Sequence, residues 1–535
     1  MGRVLTFETR LGVLTSQLAR RFESVVSLHA IAWSADAARE QVRRAALSNV
    51  RIETLPGNKQ LCEFGRFDAV VLLDPDGDPT GQWESVRETL VRQVVAHARE
   101  LLTERGCLLI GGDNSWSYQR IGQPSRRPGL ALPRLKSRLG RDFALELFVG
   151  DVSVGSTHSP PPELCSAHVS LPPSIHAVTW KSHAKRRLLE LPKLRQFWPA
   201  FVLIATRGDP DCFLSRQLRS MGDPRLPDWV ARERVAIKRI IAGNHGVSVM
   251  IVGPMDRSSR AVVVKSSNTE AGKQLCRTNA WALEFLEKSA WQHLTPRLLG
   301  LYDCEGVVMT VESMCEGAEL GGVCASDNGP WSRCCDQLLA LQVRDRRMEV
   351  MTQDRFSNTV GHWIGQLKRL CEESLRTRLT GVERRLSELM IGRSFAMGLC
   401  HGDLKLGNLL FNDIGKLTGV IDWDGIETDG LIVFDYLTMM TYKLAKEEKS
   451  DLESTYVRHI LPWELPPAYE QGLAPVVQEL APDSVGFQLL RIAFWFSLLH
   501  VRFASAFKLH RTWRSRMLDN VLPEMERRLA QATTL

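Results

Sequence analysis

Three polar residues, two with carboxylate and one with amide side chains, lie close together between apolar runs in the second half of this chain. Asp403 follows a His-Gly pair, Asn408 comes five residues later, and Asp422 directly follows an apolar run at residues 417–421. Taken singly, such residues are typical of turns and caps. Together, they predict a loop that presents Asp403 and Asn408, followed by a hairpin that delivers Asp422.

The chemistry of these side chains is that of phosphoryl transfer from a nucleotide, which needs in-line positioning and neutralised oxygen charge. Asp403 could accept a proton from an attacking hydroxyl. Asn408 and Asp422 offer oxygen ligands for Mg²⁺. Lys405 could reach a transferring phosphate as a point charge. We therefore predict Asp403 and Lys405 as catalytic residues, and Asn408 and Asp422 as metal ligands.

The segments 401–408 and 421–424, His-Gly-Asp-Leu-Lys-Leu-Gly-Asn and Ile-Asp-Trp-Asp, resemble the catalytic loop of the aminoglycoside phosphotransferase and choline kinase group. This resemblance implies a bilobal protein-kinase-like fold, with ATP and Mg²⁺ as cofactors. Lys405 instead matches the spacing of protein kinases. His401 is expected to brace the loop, and Asp424 to support the metal site.

A nucleotide-clamping lobe is predicted ahead of the loop, from strands at 234–241, 247–252 and 260–265. The resemblance implies that the turn with Gly243 and Gly246 covers the phosphates, and that Lys265 neutralises them.

In that family, a helix then supplies a glutamate that pairs with the lysine. The expected position reads Asn279, which could hydrogen-bond Lys265 but could not offset its charge. Glu284 or Glu270 could substitute if the register is shifted. Glu312 and Met314 fall in a segment that resembles the hinge strand, whose backbone would bind adenine.

Beyond the hairpin, Asp435 is expected to cap a helix and brace the catalytic loop. Residues 437–530 are predicted to form a helical tail that, by the resemblance, carries acceptor specificity. Its basic and aromatic residues could face an anionic acceptor or simply form a solvated surface: Trp495, Arg502, His510, Arg511, Trp513, Arg514 and Arg516.

The first 110 residues alternate between strand and helix patterns, which indicates a parallel sheet covered by helices. Apolar strands at 67–73 and 106–110 flank a long helix predicted at 83–105. This region resembles a class I S-adenosylmethionine-dependent methyltransferase, and residues 194–207 would be its late hairpin.

The same region departs from that family where the cofactor should bind. The loop after the first strand keeps only Gly12, although close approach to a cofactor needs small residues. His29 stands where an acid for the ribose hydroxyls is expected. Asp68 and Asp74 are strand-end carboxylates without assigned chemistry. We predict a methyltransferase-like domain whose cofactor site is degenerate, and leave S-adenosylmethionine binding open.

Composition limits the remaining alternatives. A length of 535 residues predicts more than one domain. A net charge of +7 does not indicate a nucleic-acid-binding domain. The twelve cysteines lack zinc-site spacing and indicate reduced thiols. We expect no signal peptide, and a buried helix rather than a membrane span at 487–507, because charged residues interrupt it. This predicts a soluble cytoplasmic protein, with peripheral membrane association and oligomeric state left open.

The predicted fold class is α/β plus α+β. It comprises a Rossmann-like methyltransferase-type domain at 1–207, a linker at 208–228, a kinase N-lobe at 229–317, and a C-lobe with helical tail at 318–535. The predicted activity is ATP- and Mg²⁺-dependent phosphorylation of a hydroxyl on a small molecule or glycan. Two alternatives stay open: a bifunctional methyltransferase-kinase that modifies a surface polysaccharide, and a pseudokinase scaffold.

Overall fold

The computed structural model describes residues 2–8, 13–29, 31–55, 61–73, 82–113, 132–140, 142–150, 163–166, 200–207, 218, 222–233, 235–243, 246–254, 260–304, 306–319, 329–481, 483–503 and 520–532. The chain divides into two compact units. The first comprises residues 1–243 and 248–264, and the second comprises residues 244–247 and 265–535.

The first unit alternates strands and helices. Its strands are β1 Arg3–Glu8, β2 Ser24–His29, β3 Val50–Thr54, β4 Phe67–Leu73, β5 Leu102–Asp113, β6 Ala144–Gly150, β7 Glu163–Ser166, β8 Ala200–Thr206, β9 Val235–Ala242 and β10 Ser248–Pro254. Its helices are α1 Val13–Ala19, α2 Ala32–Arg44, α3 Gln82–Ala96, α4 Ala98–Leu101, α5 Leu132–Leu139 and α6 Asp228–Arg232, with a 3₁₀ turn at Leu61–Phe64.

These strands form a mixed sheet in the order β3-β2-β1-β4-β5-β8-β6-β7-β9-β10. In this order, the four strand pairs between β3 and β5 are all parallel. Strand β8 runs antiparallel between β5 and β6. The sheet continues through antiparallel pairs from β6 to β10.

Both faces of the central parallel strands β1, β2 and β4 are buried, which explains their largely apolar sequences. Along β1, Leu5 and Phe7 pack into one cluster with residues of α3 and α5. Val4 packs on the opposite face with Val25 and Ala19. This alternation follows the two-residue period of a strand.

The second unit contains short sheets and many helices. Strand β11 Val262–Ser267 enters it at Lys265, and its other strands are β12 Leu298–Cys304, β13 Val307–Ser313, β14 Ala318–Glu319, β15 Arg347–Val350, β16 Ser394–Cys400, β17 Leu409–Phe411, β18 Leu417–Val420 and β19 Glu427–Leu431. Its helices are α7 Glu270–Leu286, α8 Gly329–Gln342, α9 Gln353–Asn358, α10 Val360–Leu370, α11 Glu373–Met390, α12 Val433–Glu448, α13 Leu452–Thr455, α14 Pro467–Leu480, α15 Ser484–Phe503 and α16 Leu522–Gln531, with a π-helical turn at Tyr456–Ile460.

Three groups of antiparallel strands lie around the loop that carries the site. Strands β12 and β13 pair with each other, β14-β17-β18 form one small sheet, and β15-β16-β19 form another. The helices pack around one large apolar core that includes Trp331, Trp423 and Trp495. The catalytic loop leaves this core at the end of β16, so a rigid scaffold holds its first residue.

One predicted boundary is wrong. The long helix expected to reach residue 105 ends earlier, because α4 stops at Leu101 and β5 begins at Leu102. Pairing of Leu102 with Phe67 holds this segment extended despite its polar residues. Helix α15 covers the described part of the apolar segment predicted at 487–507. None of the helices in the described ranges is long and apolar enough to cross a membrane.

The predicted fold class of α/β plus α+β is confirmed: the first unit has a mainly parallel run of strands with helices, and the second has short antiparallel sheets, many helices and a helical tail. The proposed domain limits stay a prediction. Several predicted features lie outside the described residues: Gly12, Asp74, residues 208–217 and 219–221 of the predicted linker at 208–228, and the tail residues His510, Arg511, Trp513, Arg514 and Arg516. Eight cysteines with described side chains are free thiols.

Candidate functional site

The catalytic loop begins at His401, directly after β16. This side chain is buried, and its Nε2 lies 2.9 Å from the Ile421 carbonyl oxygen. Its Nδ1 accepts a bond from the Asp403 backbone N–H at 3.3 Å, so Nε2 carries the proton. Burial lowers the His401 pKa, and the ring packs against Trp423 with centroids 4.6 Å apart. These contacts support a bracing role for a neutral imidazole.

Asp435 holds the loop from the opposite side. Its carboxylate accepts bonds from the backbone N–H groups of His401, at 2.8 Å, and Gly402, at 3.0 Å. The Gln342 side-chain amide donates a third bond at 3.0 Å. Burial raises the Asp435 pKa to about 7. Asp435 therefore contacts the loop as a brace, but it does not cap a helix: it lies in the first turn of α12, whose N-cap residue Ile432 makes no side-chain capping bond. Gln342 is a partner that sequence reasoning missed.

Asp403 and Lys405 form one ion pair within the loop. Lys405 Nζ lies 2.6 Å from Asp403 Oδ2. Burial acts to lower the Lys405 pKa, but Asp403 and Asp422 raise it above its ordinary value. The Asn408 side-chain nitrogen donates to the Asp403 backbone oxygen at 3.0 Å, so its side-chain oxygen is the atom that would face a metal.

Asp422 adopts a left-handed backbone conformation, with φ of 71° and ψ of 59°. Its Oδ1 accepts a bond from Lys265 Nζ at 3.1 Å. Burial acts to raise the Asp422 pKa, but Lys265 and Lys405 lower it overall. Asp424 has the opposite balance: burial, and then the Asp422 carboxylate, raise its pKa to about 7.

Lys265 is buried at the centre of three oxygen atoms. Its Nζ lies 3.1 Å from Asn279 Oδ1, 3.1 Å from Asp422 Oδ1 and 3.5 Å from Glu312 Oε1. Burial acts to lower the Lys265 pKa, but Glu312, Asp422 and then Asp424 raise it above its usual range. The structure thus joins a lysine from β11 to an aspartate that lies 157 residues later.

The partner of Lys265 differs from the sequence-based alternatives. Asn279 does contact the lysine, but neither glutamate suggested for a shifted register does. Glu284 is exposed, and Glu270 pairs with Lys273 at 2.7 Å. The carboxylate that contacts both the helix-borne Asn279 and Lys265 comes from Glu312 in β13. For this residue the family resemblance implied only a backbone role. The sequence did contain one clue: Thr310 and Glu312 are two residues apart, and so place polar side chains on the same face of a largely apolar strand.

The remaining predicted nucleotide residues have weaker structural support. Gly246 has a φ of 77°, and its carbonyl accepts a bond from Ser267 Oγ at 3.0 Å. Met314 follows β13 and is exposed. Gly243 follows β9, within the first unit. The roles of Gly243, Gly246 and Met314 in nucleotide binding stay predictions.

The first unit carries a buried histidine at the end of β2, where a ribose-binding acid was expected. His29 Nε2 lies 3.0 Å from Ser27 Oγ, and Nδ1 lies 2.9 Å from Ser34 Oγ. Burial, and then Arg39, lower the His29 pKa to about 4. Because both ring nitrogens have local partners, this position does not fit the ribose of S-adenosylmethionine.

Asp68 in β4, to which the sequence assigned no chemistry, has structural contacts. It accepts bonds from the Arg3 backbone N–H at 2.8 Å and from Thr103 Oγ1 at 2.9 Å. These contacts join β4 to β1 and β5, so we assign Asp68 no chemistry.

With this geometry in view, we compared the chain with known proteins. Residues 339–470 match the model of the phosphotransferase enzyme family. The match contains Asp403, Lys405, Asn408 and Asp422, and it confirms the predicted resemblance of the C-terminal part. No curated protein matches the sequence.

Three solved structures illustrate what the chain is similar to. A GDP and kanamycin complex of the aminoglycoside phosphotransferase APH(2")-IIia is 15% identical over 59% of this chain and 99% of that chain, with a TM-score of 0.36. The N-methyltransferase NodS from Bradyrhizobium japonicum WM9 is 11% identical over 39% and 86%, with a TM-score of 0.24. WbdD is 11% identical over 100% and 88%, with a TM-score of 0.29. At these scores, we infer no function from the likenesses.

Proposed function

We propose that this protein is an ATP- and Mg²⁺-dependent phosphotransferase that acts on a hydroxyl of a small molecule or glycan. The observation that carries the proposal is the 3.1 Å contact between Lys265 and Asp422. This contact holds the lysine that we propose to bind phosphates next to the carboxylate that we propose to bind metal, and both lie near the loop with Asp403 and Asn408. The phosphotransferase family match over the loop supports the same reaction class.

Lys265 is the residue proposed to hold the nucleotide phosphates. Its ammonium carries a fixed positive charge, because neighbouring carboxylates raise its pKa above the usual range despite burial. Gly246 and Gly243 are proposed to present backbone N–H groups to the phosphates. The strand end with Glu312 and Met314 is proposed to bind the adenine through its backbone.

Asn408 and Asp422 are proposed to hold Mg²⁺, and their chemistry fits a hard cation that prefers oxygen ligands. When bound, Mg²⁺ would neutralise charge on the phosphate oxygens. Lys265 and Lys405 lower the Asp422 pKa, so its carboxylate is ionised and ready to bind at neutral pH. Asp424 is the closest further carboxylate in sequence and could support the metal.

Asp403 is proposed to orient the acceptor hydroxyl and take its proton. The hydroxyl oxygen forms the new bond to phosphorus, its proton passes to an Asp403 oxygen, and ADP leaves with the bridging oxygen. Lys405, 2.6 Å from Asp403 Oδ2, fixes the orientation of this carboxylate and lies close enough to approach a transferred phosphate.

The acceptor is proposed as a sugar or glycan hydroxyl. This follows from the combination of a methyltransferase-like unit with a kinase-like unit, which resembles enzymes that modify the ends of bacterial surface glycans. The first unit is proposed to serve as a scaffold, because His29 occupies the place of the ribose-binding acid.

A nucleotide-consumption screen tests this function. The full chain is titrated with Mg-ATP by calorimetry and then assayed for ADP formation with a panel of sugars, oligosaccharides and aminoalcohols. We expect Mg-ATP binding, and ADP formation that depends on both Mg²⁺ and one class of acceptor. Tight Mg-ATP binding without ADP formation across the panel would favour the pseudokinase scaffold instead.

A further inference from the structure

The environment of Lys265 contains an unusual arrangement of charge. Taken as whole residues, Lys265, Asn279 and Glu312 are 7%, 1% and 2% exposed. A buried lysine that stays charged needs a nearby carboxylate to offset the cost of burying its ammonium. Asn279 has no charge, so its contact with Lys265 cannot provide that compensation.

The amide of Asn279 lies between the ammonium and the Glu312 carboxylate. Its Oδ1 accepts from Lys265 at 3.1 Å, and its Nδ2 donates to Glu312 Oε1 at 2.7 Å. A lysine can only donate and an ionised carboxylate can only accept, so this amide orientation is the one that satisfies both partners. Asn279 therefore acts as a directional bridge.

When Asp422 binds another group, Glu312 is the carboxylate that still pairs with Lys265. The Asp422 side chain is 39% exposed, whereas the Glu312 side chain is 3% exposed. In the proposed function, Asp422 binds metal and shares its charge with it. Glu312 is also held by Thr310 Oγ1 at 3.4 Å, within its own strand.

We propose that Glu312 is the positioning residue of Lys265, with Asn279 as a neutral bridge between them. This inference rests on the proposed function, because it assigns a role within the same nucleotide site. The counter-charge lies on strand β13 instead of helix α7. Displacement of α7 would then remove the bridge but leave the charge of the pair in place.

A charge-relocation series tests this assignment in the full chain. The variants are Glu312→Gln, Asn279→Ala, and the double variant Asn279→Glu with Glu312→Gln, which moves the carboxylate onto the helix. Glu284→Gln is the matched control, because it removes an exposed carboxylate from the same helix. Circular dichroism and thermal unfolding identify the variants that keep the fold.

The first readout is kcat/KM for Mg-ATP, measured as ADP formation at one fixed, saturating concentration of the acceptor found in the screen. We expect Glu312→Gln to lose at least about tenfold, typical of an interrupted charge-assisted contact. The double variant should recover to within about threefold of wild type, since the charge is restored near the same ammonium. A folded Glu312→Gln variant with wild-type kcat/KM would overturn the inference, as would a folded double variant without recovery.

The second readout does not need ATP. The rate at which acetic anhydride acylates Lys265 at pH 8 is measured by mass spectrometry and rises when the lysine loses its proton more readily. Glu312→Gln should raise this rate by about tenfold relative to Glu284→Gln, because a lost carboxylate lowers the pKa of its partner. An unchanged rate would contradict the assignment. If wild type fails to bind Mg-ATP while acylation behaves as expected, the proposed function fails and the Lys265–Glu312 pairing stands.

Discussion

Gly402 is the residue at which the catalytic loop tolerates the least change. Its φ is 82°, a left-handed conformation that side chains disfavour. A Cβ atom at this position would lie 1.9 Å from the Gly425 carbonyl oxygen. The close approach of these two glycines brings the loop beside the Trp423–Gly425 turn, and so keeps Asp403 and Asp422 in one site.

Gly402→Ala should therefore disrupt the loop. We expect a loss of about 2–4 kcal/mol in the free energy of unfolding, from backbone strain and an unavoidable clash. The measurement is urea unfolding of the full chain. Gly407→Ala is the matched control, because a Cβ there meets nothing within 4 Å. Equal stability of the two variants would show that the contact between the glycines is not needed.

Asp422 offers a second residue-scale prediction, because asparagine tolerates its left-handed backbone better than alanine does. Both Asp422→Asn and Asp422→Ala should lower Mg²⁺-dependent ATP turnover by about a hundredfold or more, since each removes the charged metal ligand. Only Asp422→Ala should also lose about 1 kcal/mol of stability. Turnover and urea unfolding, measured on the same preparations, separate the two effects. Wild-type turnover in Asp422→Asn would remove Asp422 from the metal site.

Glu312 shows why residue-scale prediction was incomplete. The spacing of the loop was sufficient to identify Asp403, Asn408 and Asp422 as candidates, because they are close in sequence. The partner of Lys265 depends on which strand lies beside it, and that information is not local. Thr310 and Glu312 lie two residues apart, on one face of β13. This spacing does not identify which residue Glu312 contacts.

At the scale of elements, strand β5 illustrates the same limit. Its first residues, Thr103 to Arg105, are polar and continue the helical pattern that precedes them. They lie between the Phe67–Leu102 and Ala69–Cys107 pairs that join β4 to β5, so the pairing on either side keeps them extended and overrides the local preference. The apolar strands that precede this segment were predictable, because both of their faces are buried and their sequences are continuously apolar.

Strand β2 carries a prediction about pH. The His29 pKa is lowered to about 4, from an ordinary value near 6.5, so the unfolded chain binds a proton more readily. Neutral His29 therefore contributes to the free energy of unfolding above pH 6.5, and this contribution is lost as the pH falls towards 4. The loss should not exceed about 3 kcal/mol.

Hydrogen exchange of the β2 amides measures this effect locally. After correction for intrinsic rates, protection at residues 24–29 should fall between pH 7 and pH 5 in wild type. The variant His29→Asn cannot titrate and should show less of this dependence. Identical pH profiles for the two proteins would show that His29 is not the group responsible.

At the scale of the whole molecule, the two units have different relations to their expected ligands. The second unit brings a buried lysine, an ion-paired aspartate and further side-chain oxygen atoms together in one place. The first unit has a run of parallel strands with helices, but a buried hydrogen-bond network occupies the end of its second strand. The fold class of both units was therefore predictable from the sequence. The arrangement of side chains in each site was not, because it depends on contacts between residues that are far apart in the sequence.

Calorimetry with the full chain tests the contrast between the units. We expect heat of binding for Mg-ATP and none for S-adenosylmethionine, because His29 cannot replace an acid at the ribose. Binding of S-adenosylmethionine would revive the bifunctional alternative. A His29→Asp variant then serves as a comparison, since it restores the acid at this position.

The most direct test of the central claim compares wild type with Asp403→Asn. The measurement is the pair of constants kcat for ADP formation, with the acceptor found in the screen, and Kd for Mg-ATP. If Asp403 takes the proton from the acceptor, kcat should fall by about a hundredfold or more, while Kd stays within about threefold because Asp403 is not proposed to hold the nucleotide. An unchanged kcat would contradict the account.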